Sequence, residues 1–392
     1  MGLKILLRDF RSVVKQGQVV NFNIGTTAHG PGVAAMLEKV LPDCEICFWA
    51  SAPLSAPLER MIQRRFPNTR LVSGSLDGSS PAVEDAVRWC DFLLIGSGTR
   101  IAVRKDVEAF VRYSGKPYGA AGIGYTPQDL DAMQKSNFMF FRDSLALKHA
   151  REDGLRVPTG FVPDGAFAFD ALDEVGAETF MRHYGLEPGK FACCLPRYRN
   201  TPLWEFVPGC PYPEERIAYN KRMLQQDMAP LVEAASRLVR QTHWKVLLSP
   251  ETEPATRLCQ NELAALFPSD VRPFIVVPEV FWEADLALGV YTQSCGLFGT
   301  EMHSQVMAIG NGIPAMVCRT AEFGSKSQMW CDISLDDWLF DFDFVGDRQR
   351  FPDAVLQMFT QRDKTNRLLE KASSTIQERF EFFAEFLKQH FA

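Results

Sequence analysis

The sequence predicts an α/β protein made of two doubly wound halves, and three observations predict it. The chain has 392 residues, too long for one ordinary domain and well matched to two of nucleotide-fold size. Apolar stretches alternate with helical patterns along both halves, the sequence signature of βα units. The strand candidates are continuously apolar rather than alternating, as strands of a parallel sheet covered on both faces must be.

Taken in order, QVVNFNIG reads as a strand ending in a glycine turn, with the helix PGVAAMLEKVL opening on Pro31. CEICFWA is a second strand with the helix LERMIQRRF behind it, and TRLVSG a third. PAVEDAVRWC is a helix feeding the strand and Gly-Ser-Gly turn of DFLLIGSGT. RKDVEAFVRYSG is the next helix, KPYGAAGIG the next strand, and TPQDLDAMQKSN a short helix. FMFFRDSLALKHAREDG is a strand tip turning into a helix. DEVGAETFMRHYGLEPGK reads as a linker. Beyond it FACCLPRY, HWKVLLSP, RPFIVVP, ALGVY and IPAMVC read as buried strands, and RNTPLWEFVPGCPYPEER as a proline-rich loop. A long helical pattern from Ile217 to Val239 is expected to break at Pro230, and the last forty or so residues are helical. The expected organisation is a Rossmann-like domain over residues 1–185, a second over 186–350, and a helical segment over 351–392. Two Rossmann-like domains, their parallel sheets facing a cleft, with a helical tail describe a GT-B-like architecture. Ligands of open α/β sheets lie beyond the carboxyl ends of the strands, here the expected cleft.

Composition excludes several functions. Hydrophobic residues at 46% and charged residues at 23% are globular values. A net charge of −6 leaves no basic footprint for nucleic acid or an anionic membrane surface. No apolar run of about 18 residues is present, so no transmembrane segment is expected. The start MGLKILLRDF fits neither a secretory signal nor the myristoylation pattern, so a cytoplasmic protein is expected. Cys44 and Cys47 form a C-x-x-C that runs into an apolar strand with no second pair at zinc spacing. The ten cysteines are therefore read as buried, reduced hydrophobes and no metal site is assigned.

One stretch carries most of the chemistry. In GTEMHSQVMAIGNGIPAMVC, Thr300 is expected to cap a helix whose first residue is Glu301 and third is His303. Met302, Val306 and Ile309 would face inward, and Gly310 and Gly312 would end the helix. An acid suits a first turn through the helix dipole alone. The same dipole keeps a histidine neutral, where it can serve as general base. Spacing does not choose between these readings. Elsewhere, Arg142 lies at a strand-to-helix junction suited to bidentate anion binding, or to an ion pair with Asp143 or Asp164. Ser144 and Asp164 read as helix cap and turn former. Gly25 and His29 sit ahead of the first helix. Gly96 and Ser97 sit at a strand end; with Gly25 and His29 they are candidates to line the cleft on the acceptor side, and Trp204 in the proline-rich loop could stack on a sugar. Trp338, Phe340, Phe342 and Phe344 alternate with acids as in a half-buried strand.

Several of these stretches, in order, resemble the polysaccharide pyruvyl transferase family. FNIGTTAHGPGVAAMLEKVL resembles its opening strand-Gly-helix unit, and DFLLIGSGT its Asp-strand-Gly-Gly segment. GKPYGAAGIGY resembles the next strand with a Gly-x-Gly end. FRDSLALKHAREDGLRVPTGFVPDGAF resembles the Arg-Asp-x-x-Ser helix and Pro-Asp turn. GTEMHSQVMAIGNGIPAMV, with Lys326 downstream, resembles the Met-His helix, the Gly-x-Pro strand and a trailing lysine. The resemblance implies transfer of pyruvate from phosphoenolpyruvate to a saccharide as a ketal, with phosphate release, in exopolysaccharide or cell-surface glycan biosynthesis. The saccharide would be nucleotide- or lipid-linked. It implies His303 as catalytic acid/base and Arg142 and Lys326 as donor ligands; one histidine with a nearby carboxylate, Glu301 the candidate, could cover the proton transfers.

One position departs from that pattern: Glu301 stands where the family has arginine. An acid there opposes an anionic donor unless a cation offsets it, and Arg197, Arg199 and Arg319, all at strand ends, are the candidates. A divalent ion bridging Glu301 and a phosphate would also offset the charge, although no residue pattern requires a metal or other cofactor. Two alternatives stand beside this reading. One is a GT-B glycosyltransferase using a nucleotide-sugar donor. The other is a non-catalytic, saccharide- or anion-binding family member.

Overall fold

The structure is a computed structural model, and it describes residues 2–9, 13–15, 18–101, 103–205 and 209–391, with the side chains of 13–15 and 18–20 left aside. Residues 206–208 of the proline-rich loop lie outside the described residues. The strands are β1 (Lys4–Arg8), β2 (Val13–Lys15), β3 (Gln18–Val20), β4 (Glu45–Ala50), β5 (Arg70–Ser73), β6 (Phe92–Ile95), β7 (Tyr118–Ile123) and β8 (Phe138–Phe141). They continue as β9 (Thr159–Phe161), β10 (Phe191–Leu195), β11 (Lys245–Leu248), β12 (Ile275–Val276), β13 (Leu297–Gly299), β14 (Ala315–Arg319) and β15 (Leu339–Asp341).

The chain divides into two compact units, one of residues 1–13, 26–171 and 374–392, the other of residues 14–25 and 172–373. The sequence placed the join between residues 185 and 186. The units divide earlier because the stretch read as a linker is a helix, Glu174–Tyr184, started by the Asp173 side chain and stopped by Gly185 in the left-handed conformation. Two segments also leave the expected order: residues 14–25 belong to the second unit, and the end of the C-terminal helix to the first.

The first unit holds a seven-stranded sheet in the order β5-β4-β1-β6-β7-β8-β9, with every strand pair parallel. Its opening strand is β1, not the expected QVVNFNIG. Ile5, Leu6 and Leu7 are wholly buried, whereas Val20 ends a strand of the separate two-stranded β2-β3 sheet. The first helix runs Ile24–Val40, so Pro31 lies inside it rather than at its start. Phe138 and Phe140 pack edge-on against Phe386 of the long helix Arg362–Phe391, which is why the end of that helix belongs to this unit.

The second unit holds a six-stranded sheet in the order β12-β11-β10-β13-β14-β15, again parallel throughout. That is the doubly wound order, with the chain reversing between β10 and β13. ALGVY, expected as a strand, is the buried helix Ala284–Tyr291, since a short apolar run without alternation fits either state. Pro230 does not break its helix, which is continuous over Glu214–Thr242. The alternating aromatics sit in and beside β15, with Trp338, Phe340 and Phe342 in the core and Phe344 exposed. Among the described residues no helix is long and apolar enough to cross a membrane. None of the ten cysteines is paired.

Candidate functional site

In the second unit the reversal point brings together the ends of β10 and β13. Leu195 pairs with Gly299, and both chains then turn over the sheet edge. Gly299 is required there: at φ +154° an added Cβ would lie 2.2 Å from the Leu195 carbonyl oxygen. Thr300 N–H donates to the Leu195 carbonyl at 2.8 Å, and Thr300 Oγ1 accepts from Arg197 N–H at 2.9 Å. These bonds fix Arg197 beside Glu301, whose Oε2 lies 3.6 Å from Arg197 Nη1.

The helix after this turn begins at His303, not at Glu301, and Thr300 is not its cap. The cap comes from elsewhere in the chain. Glu251, after β11, accepts from Ser304 N–H through Oε2 at 2.7 Å, and its Oε1 lies 3.2 Å from His303 Nδ1. Burial would raise the Glu251 carboxyl, but the His303 hydrogen bond and charge, the Ser304 N–H and Lys326 outweigh it and hold it down at about 2. An ionised carboxylate can only accept, so His303 carries a proton on Nδ1. The segment read as the opening strand buttresses this pair: Ile24 N–H donates to the Glu251 carbonyl, and Asn23 bridges Thr252. Gly25 lies flat on the imidazole, where a Cβ would come within 2.4 Å of His303 Cγ. Gly25 and His303, far apart in sequence, are thus adjacent.

Glu301 behaves oppositely to Glu251. It is 3% exposed, and its Oε1 has no hydrogen-bond partner. Burial pushes its carboxyl up to about 8 against the pull of Arg197, with the Glu251 charge adding to the rise. At neutral pH Glu301 is therefore mostly protonated. Arg197 and Lys326 both lie against the Phe323 ring, 5.1 and 4.3 Å from its centroid.

The other expected cations are committed. Arg199 is enclosed by Asp227, at 2.8 Å to both oxygens, and by Asp343 at 2.6 Å, with Glu322 at 3.9 Å. Arg319 pairs with Asp341 on the neighbouring strand. Trp204 is half-buried in the turn Leu203–Glu205.

The first unit has residues of the same types at its own sheet edge. Arg142 follows β8 and donates through Nη1 to Asp164 Oδ2 at 3.1 Å, with both side chains buried. Asp164 also takes Ala166 N–H, forming the expected turn, and its Oδ1 lies 3.5 Å from His29 Nε2. His29 lies within the first helix and is buried, not in an exposed turn. Ser97 is buried and accepts from Gly165 N–H at 2.6 Å, and Gly96 N–H donates to the Arg8 carbonyl. The cap of the helix after Arg142 is Asp143, which accepts from Ala146 N–H at 2.7 Å; Ser144 is its first residue.

The sequence singled out His303, Glu301, Arg197, Lys326 and Gly25, which the structure brings together, and did not single out Glu251. The available signal was an acid just past the strand of HWKVLLSPE, at the edge where ligands bind.

No family model matches the chain, and no curated protein matches it. Solved structures do. The UDP-GlcNAc 2-epimerase of Methanocaldococcus jannaschii superposes with a TM-score of 0.57 at 12% identity, covering 99% of this chain and 100% of that one. Staphylococcus aureus MnaA, solved with UDP, gives 0.56 at 13%, covering 99% and 95%. The ADP-heptose LPS heptosyltransferase II of Escherichia coli gives 0.51 at 11%, covering 92% and 100%. At these identities the likeness establishes the fold: a GT-B-like α/β protein of two Rossmann-like units with a helical C-terminal region.

Proposed function

We propose that the protein is a glycan-modifying enzyme of the GT-B fold that transfers pyruvate from phosphoenolpyruvate to two saccharide hydroxyls as a ketal. The observation that carries this reading is the cluster at the β10–β13 reversal: an imidazole oriented by an ionised carboxylate, beside Arg197, Lys326 and a protonated acid. The ordered resemblance of the sequence stretches supports the donor, and the lengthwise likeness to nucleotide-sugar enzymes supports a glycan acceptor. We place the reaction in the cytoplasm, on a nucleotide- or lipid-linked precursor of a surface polysaccharide.

The chemistry needs one proton delivered to the donor methylene carbon and one removed from each of two hydroxyls. In the first step His303 Nε2 takes a hydroxyl proton while the oxygen attacks the donor C2, and the protonated Glu301 gives the methylene the proton that makes it a methyl. In the second, phosphate leaves with its bonding pair and the proton held by His303, the second hydroxyl oxygen closes the ketal, and that hydroxyl's proton returns to Glu301. Arg197 and Lys326 would neutralise the donor phosphate or carboxylate. Of the strand-end cations considered as an offset to Glu301, Arg197 is the one that stands beside it.

The test is calorimetric titration of phosphoenolpyruvate and, separately, UDP-sugars into wild type and Glu301→Arg. Binding of phosphoenolpyruvate by wild type, undisturbed by UDP-sugars, is expected. Binding of UDP-sugars alone would move the protein to the second reading, a nucleotide-sugar glycosyltransferase, which the UDP named with the Staphylococcus structure favours. Binding only after the substitution would indicate a family member that abandoned the donor.

A further inference from the structure

The unusual element of the cluster is a buried acid set against the arginine that should receive the donor. Glu301 follows the turn that Thr300 ties to β10 through two hydrogen bonds. The charged groups that face it are Arg197 after β10, Glu251 after β11 and Lys326 in the turn Ala321–Ser327, and the titratable His303 follows two residues on, at the start of the next helix. Its Oε1 is buried with no hydrogen-bond partner, an arrangement that favours a proton over a charge. The two cations, Arg197 and Lys326, both lie against the Phe323 ring.

We propose that Glu301, where it is ionised, is an internal counter-anion for Arg197 that a phosphorylated donor replaces, so that anion binding above neutral pH takes up one proton from solvent. The inference rests on reading this cluster as the donor site. The balance is simple: the ionised Glu301 carboxylate accepts a proton and becomes neutral, and the guanidinium exchanges that carboxylate for the incoming dianion. Two negative groups on one arginine would repel, and the proton removes the conflict. Where the related pattern has arginine at this position and adds a fixed charge, this chain has a charge that depends on pH. Donor capture also loads a proton beside His303, in a reaction that must deliver one to carbon.

Sulfate is the probe, because it remains a dianion across the range of interest. Its titration into the full-length protein at pH 7 and pH 9, in two buffers of different ionisation enthalpy, measures affinity and proton uptake together. With Glu301 titrating at about 8, one linked proton predicts affinity about tenfold weaker at pH 9 than at pH 7. Nearly one proton should be taken up per sulfate at pH 9. Glu301→Gln should bind equally at both pH values with no uptake, and Arg197→Ala should lose binding at both. Absence of sulfate binding, equal wild-type affinity at both pH values, or binding unaffected by Arg197→Ala each overturns the proposal. The wild-type buffer comparison needs no variant to fold. Sulfate binding with proton uptake, alongside failure of phosphoenolpyruvate to bind, would sink the donor assignment and leave this inference standing.

Discussion

The two sheet edges carry similar residue types and do different things with them. In the first unit Arg142 meets Asp164, which is buried, held by a backbone N–H and close to His29. Each charge there has its opposite, and the result is a lock joining β8 to the turn after β9. In the second unit Arg197 meets Glu301, which burial keeps mostly neutral at pH 7. Arg199, two residues on, shows the locked state again, with Asp227, Asp343 and Glu322 around it. An arginine at a strand end is thus no guide to anion binding by itself. What matters is whether its acidic neighbour is ionised.

The largest expected effect tests the lock. Asp164→Ala leaves Arg142 buried and unpaired, and should cost about 3–5 kcal/mol of stability in denaturant unfolding. A loss under about 1 kcal/mol would mean that the first edge is not locked, and that Arg142 can serve a ligand.

On the second edge, His303→Ala should lower turnover at least about a hundredfold, the range of a general base, with unfolding midpoints close to wild type. Loss of stability without loss of turnover would make the second edge structural like the first. Gly25→Ala places a methyl against the imidazole. It should destabilise by roughly 1–3 kcal/mol and shift the pH–rate profile.

Glu301→Gln sharpens the comparison through pH. Glu301 titrates at about 8 in the fold against 4.5 for a free glutamate, so the folded state holds an extra proton between those values. The stability this confers is complete below 4.5 and is lost as pH rises through 8. The variant should therefore match wild type near pH 5 and exceed it by roughly 1–3 kcal/mol at pH 9 in thermal or denaturant unfolding. The smallest effect belongs to Arg319→Ala. Its partner Asp341 is partly exposed, so the cost should stay under about 1 kcal/mol, with sulfate affinity unchanged by calorimetry.

Some of this was legible in sequence because it depends on local pattern. CEICFWA, DFLLI and FMFF are apolar enough that only a covered parallel sheet accommodates them, and their strands lie where expected. ALGVY failed for the same reason those succeeded: an apolar run says buried without saying strand. The opening strand was misplaced because KILLR is short, while QVVNFNIG has equal apolar character and a different fate. Of the site, His303, Glu301, Arg197 and Lys326 stood out by motif or strand-end position. Glu251 did not, since capping a helix across fifty residues leaves no periodic trace.

The sequence by itself determined the class of fold, the alternation of strand and helix, and the substitution of an acid at position 301. These follow from hydrophobic period and residue identity, which neighbours along the chain specify. Only the tertiary structure decided which charges survive. Glu251 is ionised and Glu301 protonated because one accepts His303 and a helix N–H while the other is buried with an oxygen unbonded. Arg199 is spent and Arg197 is not, because the acids that surround one of them come from distant strands and helices. Desolvation and partner geometry set those states, and neither is a property of a residue's place in the chain.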